Sequence, residues 1–308
     1  MIAANLGLLL TAIAWGSLIP VLNLLIPQWD PYFLAAIRYA LGTPVFLLLL
    51  LVVENGRLVP GPVSWWRLWL LGGVGIGLFA PLYTLGIAHS NPITAAVIGS
   101  TGPAVAAIVA WAIYRTPPER GTVPAILLAI AGGVLATYDP GRSGVPFDLR
   151  GGEVLILLAS ACWAWYSLMA QHWLRGWSQL RICGITMVPG SVVLIAVYLL
   201  ASLTGAAHLP PAVPSTAPEL GLFAWIIFAS VVTGVFLWHF GVGRLGVVVA
   251  SLFLNLAPVA AILISAALGT RPTALQLLGG ALVIGGVLQA QLRHLLGARS
   301  AKRRRGVA

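Results

Sequence analysis

Apolar residues occur along this chain in runs of about 20, and short stretches rich in polar residues, proline or glycine separate the runs. A run of this length is sufficient for an α-helix to cross the hydrocarbon core of a bilayer. The pattern therefore predicts an all-α, polytopic membrane protein. Its ten predicted transmembrane helices are residues 3–26, 32–53, 66–88, 92–114, 121–138, 153–174, 180–203, 221–241, 246–268 and 273–294.

Residues 86–117 resemble residues 241–272, which lie 155 positions later. Each stretch is typical of a helix end, a reversal, and a membrane-length apolar segment interrupted by one proline. Pro103 pairs with Pro258 in this alignment, and a Gly-Gly pair follows in each half. Prolines in register carry more weight than matched Ala, Val or Leu, which are common everywhere in so apolar a chain. We therefore interpret the chain as an internal repeat.

Five helices per repeat is an odd number, so the second repeat enters the membrane from the opposite side. The sequence thus predicts two inverted five-helix repeats, a topology found in secondary transporters, whose substrate sites lie near the midplane between the repeats. The predicted organisation is a first repeat at 1–138, a periplasmic linker at 139–152, a second repeat at 153–296 and a basic cytoplasmic tail at 297–308.

Composition agrees with a lipid environment. Of 308 residues, 59% are hydrophobic and 8% are charged, whereas about a quarter of a soluble domain is charged. No stretch is polar enough to form a separate soluble domain. The bilayer is therefore the predicted surrounding of nearly the whole chain.

The net charge of +10 is distributed as a topology signal, because cytoplasmic loops carry an excess of Lys and Arg. With the N-terminus inside, the outer side receives only Arg142, Arg150 and Arg271. The cytoplasmic side receives Arg57, Arg67, Arg115, Arg120, Arg175, Arg181, Arg244, Arg293, Arg299, Lys302, Arg303, Arg304 and Arg305. This distribution predicts a multi-pass protein with both termini cytoplasmic, and it argues against nucleic acid as a partner. The expected location is the inner membrane of a bacterium.

An enzyme would require paired acids, a metal cluster or a nucleophile with its base. The predicted spans contain no such cluster, and Cys162 and Cys183 lack the spacing of a metal or redox site. We expect no catalytic activity, no metal and no cofactor.

Prolines interrupt several spans, and each frees the carbonyl four residues earlier. In lipid, such a carbonyl must face protein, water or a ligand. Kinks around a cavity would allow the helices to move against one another, while packing kinks are the competing interpretation. The predicted hinge residues are Pro20, Pro81, Pro103 and Pro258.

Pairing of residues across the predicted repeat gives a candidate site. Trp15 pairs with Trp163, and Ser100 pairs with Asn255. Tyr83 pairs with Trp238, nearer the opposite ends of the predicted site. An apolar pocket with a few polar groups suits a small amphipathic molecule. The candidate substrate-binding residues are Trp163, Trp15, Tyr83, Asn255, Ser100, Tyr166, His239, Trp238 and Arg38.

Each of these residues also has a purely structural interpretation. The tryptophans pack between helices in that interpretation, and His239 is a satisfied core histidine. Arg38 is costly at mid-membrane. Two structural roles are possible for it: a hydrogen bond to a backbone carbonyl, or extension of the side chain to the membrane surface. The functional alternative is binding of a substrate carboxylate.

Several stretches resemble the EamA-type family of the drug/metabolite transporter superfamily over essentially the whole length. They are Ala14-Trp15-Gly16-Ser17, Trp163-Ala164-Trp165-Tyr166, residues 83–88 before Pro103, and residues 238–246 before Pro258. The resemblance implies transport of small metabolites, often export of amino acids. The aromatic content makes the chain most similar to an aromatic amino acid exporter.

Acidic residues are absent from the depth of every predicted span, and His239 is the only candidate proton carrier there. We therefore predict facilitated diffusion of a small-molecule substrate by alternating access. The alternative is a proton-coupled exporter of multiple drugs or cationic compounds. The sequence leaves the oligomeric state open, and a monomer is compatible with it.

Overall fold

The structure is a computed structural model, and it describes residues 2–55, 64–90, 98–115, 122–137, 151–210, 214–257, 259 and 273–305. Regular secondary structure in these ranges is entirely helical, as the apolar runs predict. The helices are α1 (Ile2–Gly16), α2 (Leu18–Leu25), α3 (Pro31–Val53), α4 (Trp65–Ala88), α5 (Gly102–Tyr114), α6 (Thr122–Thr137), α7 (Gly152–Trp173), α8 (Gln179–Leu203), α9 (Ala217–Leu245), α10 (Val247–Leu254) and α11 (Ala274–Arg305).

Five of these helices, α3, α4, α7, α8 and α9, are long and apolar enough to cross a membrane. Their outward faces carry large apolar side chains, such as Leu48 on α3 and Leu199 on α8. A contiguous apolar exterior of this kind is unfavourable in water and favourable in lipid. The chain is a polytopic membrane protein.

The first predicted span is not one continuous helix. A turn at Ser17 separates α1 from α2, although residues 3–26 are uniformly apolar. Pro20 explains the break, because it has no N–H to donate to the carbonyl of Gly16. The ladder continues on either side, from Ser17 N to Ile13 O and from Val21 N to Ser17 O.

The last helix extends beyond the last predicted span. Residues 273–294 were expected to form the final helix, whereas α11 continues through the basic tail to Arg305. Arg, Lys, Leu and Ala are all good helix formers, so the change from apolar to basic residues ends the membrane segment without ending the helix.

Parts of the predicted spans 92–114 and 246–268, and the first and last residues of the span 121–138, lie outside the described residues. So do Pro258, which the sequence predicts as a hinge, and all but the last two residues of the predicted linker 139–152.

Helix starts follow from side-chain caps. Asp30 accepts hydrogen bonds from the backbone N–H groups of Tyr32 and Phe33, at 2.8 and 3.3 Å, and Pro31 occupies the first turn of α3. Ser178 caps α8 in the same way, and Thr216 forms a capping box with Glu219 at the start of α9. These caps satisfy backbone donors that lipid would leave unpaired.

Helices α3 and α8 pack against each other in antiparallel orientation. Near the end of α3, Glu54 forms an ion pair with Arg181 at the start of α8. The Thr43 hydroxyl lies 2.6 Å from that of Ser191, farther along α8. Residue numbers along α3 therefore fall as those of their partners along α8 rise, which is the pattern of an antiparallel pair.

Three other pairs are also antiparallel, because the numbers of the contacting residues rise along one helix as they fall along the other. These pairs are α1 with α9, α4 with α7, and α6 with α11. The α6–α11 contact is close because glycines lie at the crossing. A Cβ on Gly132 would lie 2.7 Å from the carbonyl oxygen of Gly279, and one on Gly286 would lie 2.9 Å from that of Ala125. Such approaches drive helix association in lipid, where the hydrophobic effect does not.

Two of the long helices widen locally into π-helix. The segments are Gly73–Leu78 in α4 and Trp225–Val235 in α9. Pro81 follows the first segment closely, whereas the second contains no proline. Hydrophobic periodicity did not predict either segment. A π-helix differs from an α-helix in its i→i+5 backbone hydrogen bonds, and the composition of the segment does not reveal this difference. Segments of this kind are frequent at functional sites.

Candidate functional site

A cavity of about 340 Å³ lies between the helices of the two halves. Its size is at the lower end for sites that bind small molecules. The residues that line it are Ala12, Trp15, Gly16, Leu18, Arg38, Tyr39, Phe79, Tyr83, Ile87, Gly99, Ser100, Gly102, Ala106, Ile156, Ser160, Trp163, Ala164, Ser230, Trp238, Val247, Ser251, Leu254, Asn255 and Ala257. Seven of the nine candidate residues from the sequence are among them.

A continuous row of aromatic rings forms one wall of the cavity. Tyr83 stacks on Phe79 with ring centroids 5.6 Å apart, and Phe79 lies 4.9 Å from Trp163. Trp163 meets Trp15 edge to face at 5.3 Å, and Trp15 lies 5.4 Å from Trp238. We call these five residues the aromatic wall. Their geometry is that of favourable aromatic pairs, and it joins residues from both halves.

The indole N–H groups of the aromatic wall differ in their hydrogen bonding. Trp15 donates to the carbonyl of Ser230 at 2.8 Å, and Trp238 donates to the hydroxyl of Ser167 at 2.8 Å. The N–H of Trp163 has no partner among the described residues. Trp15 and Trp238 are thus fixed by polar contacts, whereas Trp163 is held by ring contacts alone.

The π-helical segments fit directly against aromatic rings of this region. A Cβ on Gly75 would lie 2.2 Å from Cγ of Tyr166, and one on Gly234 would lie 2.4 Å from Nε1 of Trp15. Both glycines are required by close approach rather than by backbone conformation. Each π segment therefore sets the position of one aromatic side chain.

Ser100 and Asn255, the pair that the repeat predicts, lie together. The Asn255 side-chain amide donates to the carbonyl of Ser100 at 2.9 Å. Both residues lie in turns that interrupt a helix, three positions before a proline. A Cβ on Gly133 of α6 would lie 2.1 Å from the Ser100 hydroxyl, so α6 packs directly behind this turn.

The prolines have a common effect at the cavity. Pro20 and Pro103 have no N–H to donate to the carbonyls of Gly16 and Gly99, and both of those glycines line the cavity. Pro103 lies in the first turn of α5 rather than inside a continuous helix. The sequence predicted that this proline interrupts its span, and in the described residues a turn at Ser100 and Thr101 precedes α5. Pro81 lies within α4, just after the π segment.

Arg38 projects from α3 into the cavity lining and is 1% exposed. Its Nη2 lies 3.4 Å from the Thr84 hydroxyl, and its guanidinium carbon lies 5.3 Å from the centroid of the Tyr39 ring. Arg38 therefore does not reach the membrane surface.

Tyr166 and His239 do not line the cavity. The Tyr166 hydroxyl lies 2.7 Å from that of Thr186, and the ring contacts His239 at 5.0 Å between centroids. His239 is fully buried, and neither of its ring nitrogens has a hydrogen-bond partner in the described part of the chain. Both residues support the aromatic wall from behind, through contacts with Trp163.

Sequence reasoning missed several lining residues that simple periodicity would have found. Phe79 lies one helical turn before Tyr83, and Ser251 lies one turn before Asn255, so each shares a helix face with a candidate residue. Tyr39 and Ser230 have no comparable sequence signal.

Comparison with known proteins gives a consistent result. The sequence model of the EamA-like transporter family matches residues 2–138 and again residues 150–290. The uncharacterized transporter YyaM of Bacillus subtilis (strain 168) is 30% identical over 267 residues, covering 85% of each chain. Protein PecM of Dickeya dadantii (strain 3937) is 26% identical, covering 81% of this chain and 79% of PecM.

Two further similarities extend over nearly the whole chain. A probable terminal-alkyne amino-acid exporter of Streptantibioticus cattleyicolor is 25% identical, covering 94% of this chain and 93% of that protein. One crystal structure shares the fold with a TM-score of 0.73 at 19% identity, covering 95% of this chain and 98% of the other. From the double match of the family model and the similarity to YyaM, we conclude that this chain belongs to the EamA-like transporter family.

Proposed function

We propose that this protein exports small amphipathic metabolites, aromatic amino acids foremost, across the inner membrane of a bacterium. The observation that carries the proposal is the cavity itself, which helices of both halves enclose and the aromatic wall bounds. An apolar pocket with a few oriented polar groups suits a molecule with an aromatic side chain and a polar head. The similarity to a probable amino-acid exporter supports the same substrate class.

Transport in this proposal proceeds by alternating access between two inverted repeats. Three observations support the repeats. Helices α3 and α8, which correspond to the second predicted span of each half, are antiparallel. Helices α6 and α11, the last of each half, are also antiparallel. The first span of each half also contacts the third span of the other half: α1 contacts α9, and α7 contacts α4. Rocking of one repeat against the other would expose the cavity to each side in turn.

Substrate moves down its own gradient in this proposal. No Asp or Glu is among the cavity-lining residues in the described part of the chain, so the cavity offers no carboxylate to carry a proton. The same feature argues against the alternative, an exporter of cationic compounds, because a lipophilic cation in a low-dielectric cavity needs a compensating negative charge.

Reconstitution tests this proposal. The purified protein in liposomes is assayed for uptake of labelled Phe, Trp, Thr and Lys and of a cationic dye, side by side with protein-free liposomes. We expect uptake of Phe and Trp to exceed that of Thr and Lys, and no uptake of the dye. Uptake of the dye without any amino acid would contradict the proposed substrate class.

A further inference from the structure

Arg38 is a buried cation on the cavity wall, and no residue in the described part of the chain forms an ion pair with it. A guanidinium carries five N–H donors. Among the described residues, its recorded hydrogen bond goes to the Thr84 hydroxyl, at the long distance of 3.4 Å. Its Nε has no hydrogen-bond partner there. Most of its donor capacity is therefore unused by the protein.

The other buried arginine behaves differently. Arg181 is 8% exposed, and its guanidinium pairs with the Glu54 carboxylate, which also accepts from Ser178. Arg38 has no such carboxylate among the described lining of the cavity. The Tyr39 ring compensates its charge only in part, by a cation–π contact. An unpaired charge in a membrane interior is costly, and charged residues in membrane segments commonly mark substrate pathways.

We propose that Arg38 binds the carboxylate of the transported molecule, so that the cavity selects compounds with a carboxylate next to an apolar or aromatic group. This inference rests on the proposed function and names the group by which the substrate is recognised. The planar guanidinium matches a carboxylate with two parallel hydrogen bonds. The low dielectric of the cavity strengthens this attraction relative to water.

The aromatic wall is placed to receive the rest of the same molecule. Tyr83 immediately precedes Thr84, the hydrogen-bond partner of Arg38. The Tyr83 ring stacks on Phe79, which in turn contacts Trp163. A carboxylate at Arg38 therefore places an attached side chain along these rings. Gly16 and Gly99 line the same cavity, and neither carbonyl can accept a hydrogen bond from the proline four residues later. In this proposal, these two carbonyls are the acceptors for the ammonium group.

The test compares two probes that differ only in the carboxylate. Uptake of labelled phenylalanine into proteoliposomes is measured in competition with unlabelled phenylalanine or phenylalaninamide. The wild type is compared with Arg38→Gln and Arg38→Lys. Arg67→Gln is the control, because Arg67 is exposed on α4 and is not among the residues that line the cavity.

We expect phenylalanine to compete about tenfold or more better than its amide in the wild type and in Arg67→Gln. The preference for phenylalanine over its amide should disappear in Arg38→Gln. It should be retained in part in Arg38→Lys, which keeps the positive charge but not the two parallel N–H donors of the guanidinium. Direct binding of both probes to purified protein, measured by thermal shift, extends the comparison to variants that no longer transport.

Two results would overturn the inference while leaving the proposed function in place. One is a wild type that transports phenylalanine but accepts the amide equally well. The other is a preference for the acid that persists in Arg38→Gln, with both probes weakened alike, as expected for a purely structural arginine. A wild type that transports none of the amino acids would instead refute the proposed function, and this inference with it.

Discussion

At the scale of single residues, the site depends on a few aromatic side chains held in different ways. Trp15 and Trp238 are anchored by hydrogen bonds from their indole N–H groups, whereas Trp163 has only ring contacts within the described structure. Trp163 contacts five other rings, three in the aromatic wall and two behind it: Trp15, Phe79, Trp238, Tyr166 and His239. It is the residue through which the wall and its support meet.

We predict that Trp163→Ala lowers the initial rate of phenylalanine uptake by on the order of tenfold, which corresponds to about 1.4 kcal/mol. The physical reason is loss of the ring surface on which the substrate side chain lies. Expression and the elution profile in detergent should remain those of the wild type. The matched control is Trp69→Ala, which removes an indole that is 49% exposed on α4. Equal transport by both variants would remove Trp163 from the site.

At the scale of helices, the two π segments and the proline breaks distinguish this bundle from a set of straight helices. The α1–α2 break at Ser17 lies between two cavity-lining residues, Gly16 and Leu18, and the turns at Ser100 and Asn255 contain lining residues themselves. Each π segment carries a glycine that admits an aromatic ring, Gly75 for Tyr166 and Gly234 for Trp15. The shape of the cavity is therefore set largely by backbone irregularities.

Gly75→Ala and Gly234→Ala should each destabilise the protein by about 1–3 kcal/mol, the usual effect of overpacking. The new methyl group would overlap a ring in each case. Gly221→Ala is the control, since no atom lies within 4 Å of a Cβ at that position in α9. It should be neutral or slightly stabilising, because alanine is the better helix former. Thermal unfolding in detergent measures all three, and equal melting temperatures would contradict the close packing described above.

At the scale of the whole molecule, energy coupling is the property that the architecture constrains most. A proton-driven exporter needs a titratable group on the substrate pathway. His239 was the single candidate in the predicted spans, and it is fully buried behind the aromatic wall rather than on the cavity. In our proposal, transport is therefore driven by the substrate gradient.

We predict that a pH gradient across the liposome membrane has little effect on the initial rate of phenylalanine uptake. Uptake should instead follow the phenylalanine gradient and show counterflow when the liposomes are preloaded with unlabelled phenylalanine. His239→Ala should leave this independence of pH unchanged. Strong stimulation by a pH gradient that is lost in His239→Ala would instead show proton coupling through this histidine.

The sequence by itself determined the solvent and the type of structure. Runs of apolar residues with 8% charge are stable as helices only in lipid, and the spacing of these runs located the long helices to within a few residues. The sequence similarity between the halves also identified Ser100 and Asn255 as a pair, and they are in contact. Such features are local or repeated, so the order of residues contains them.

Only the tertiary structure decided which side chains face the cavity. Tyr166 and Trp163 lie one turn apart on α7, yet Trp163 lines the cavity and Tyr166 bonds to Thr186 behind it. That difference depends on how α7 packs against its neighbours, where the Tyr166 ring lies directly against Gly75 of α4. In a chain with so little polar sequence, hydrophobic periodicity cannot distinguish a face toward lipid from a face toward the cavity, because both are apolar.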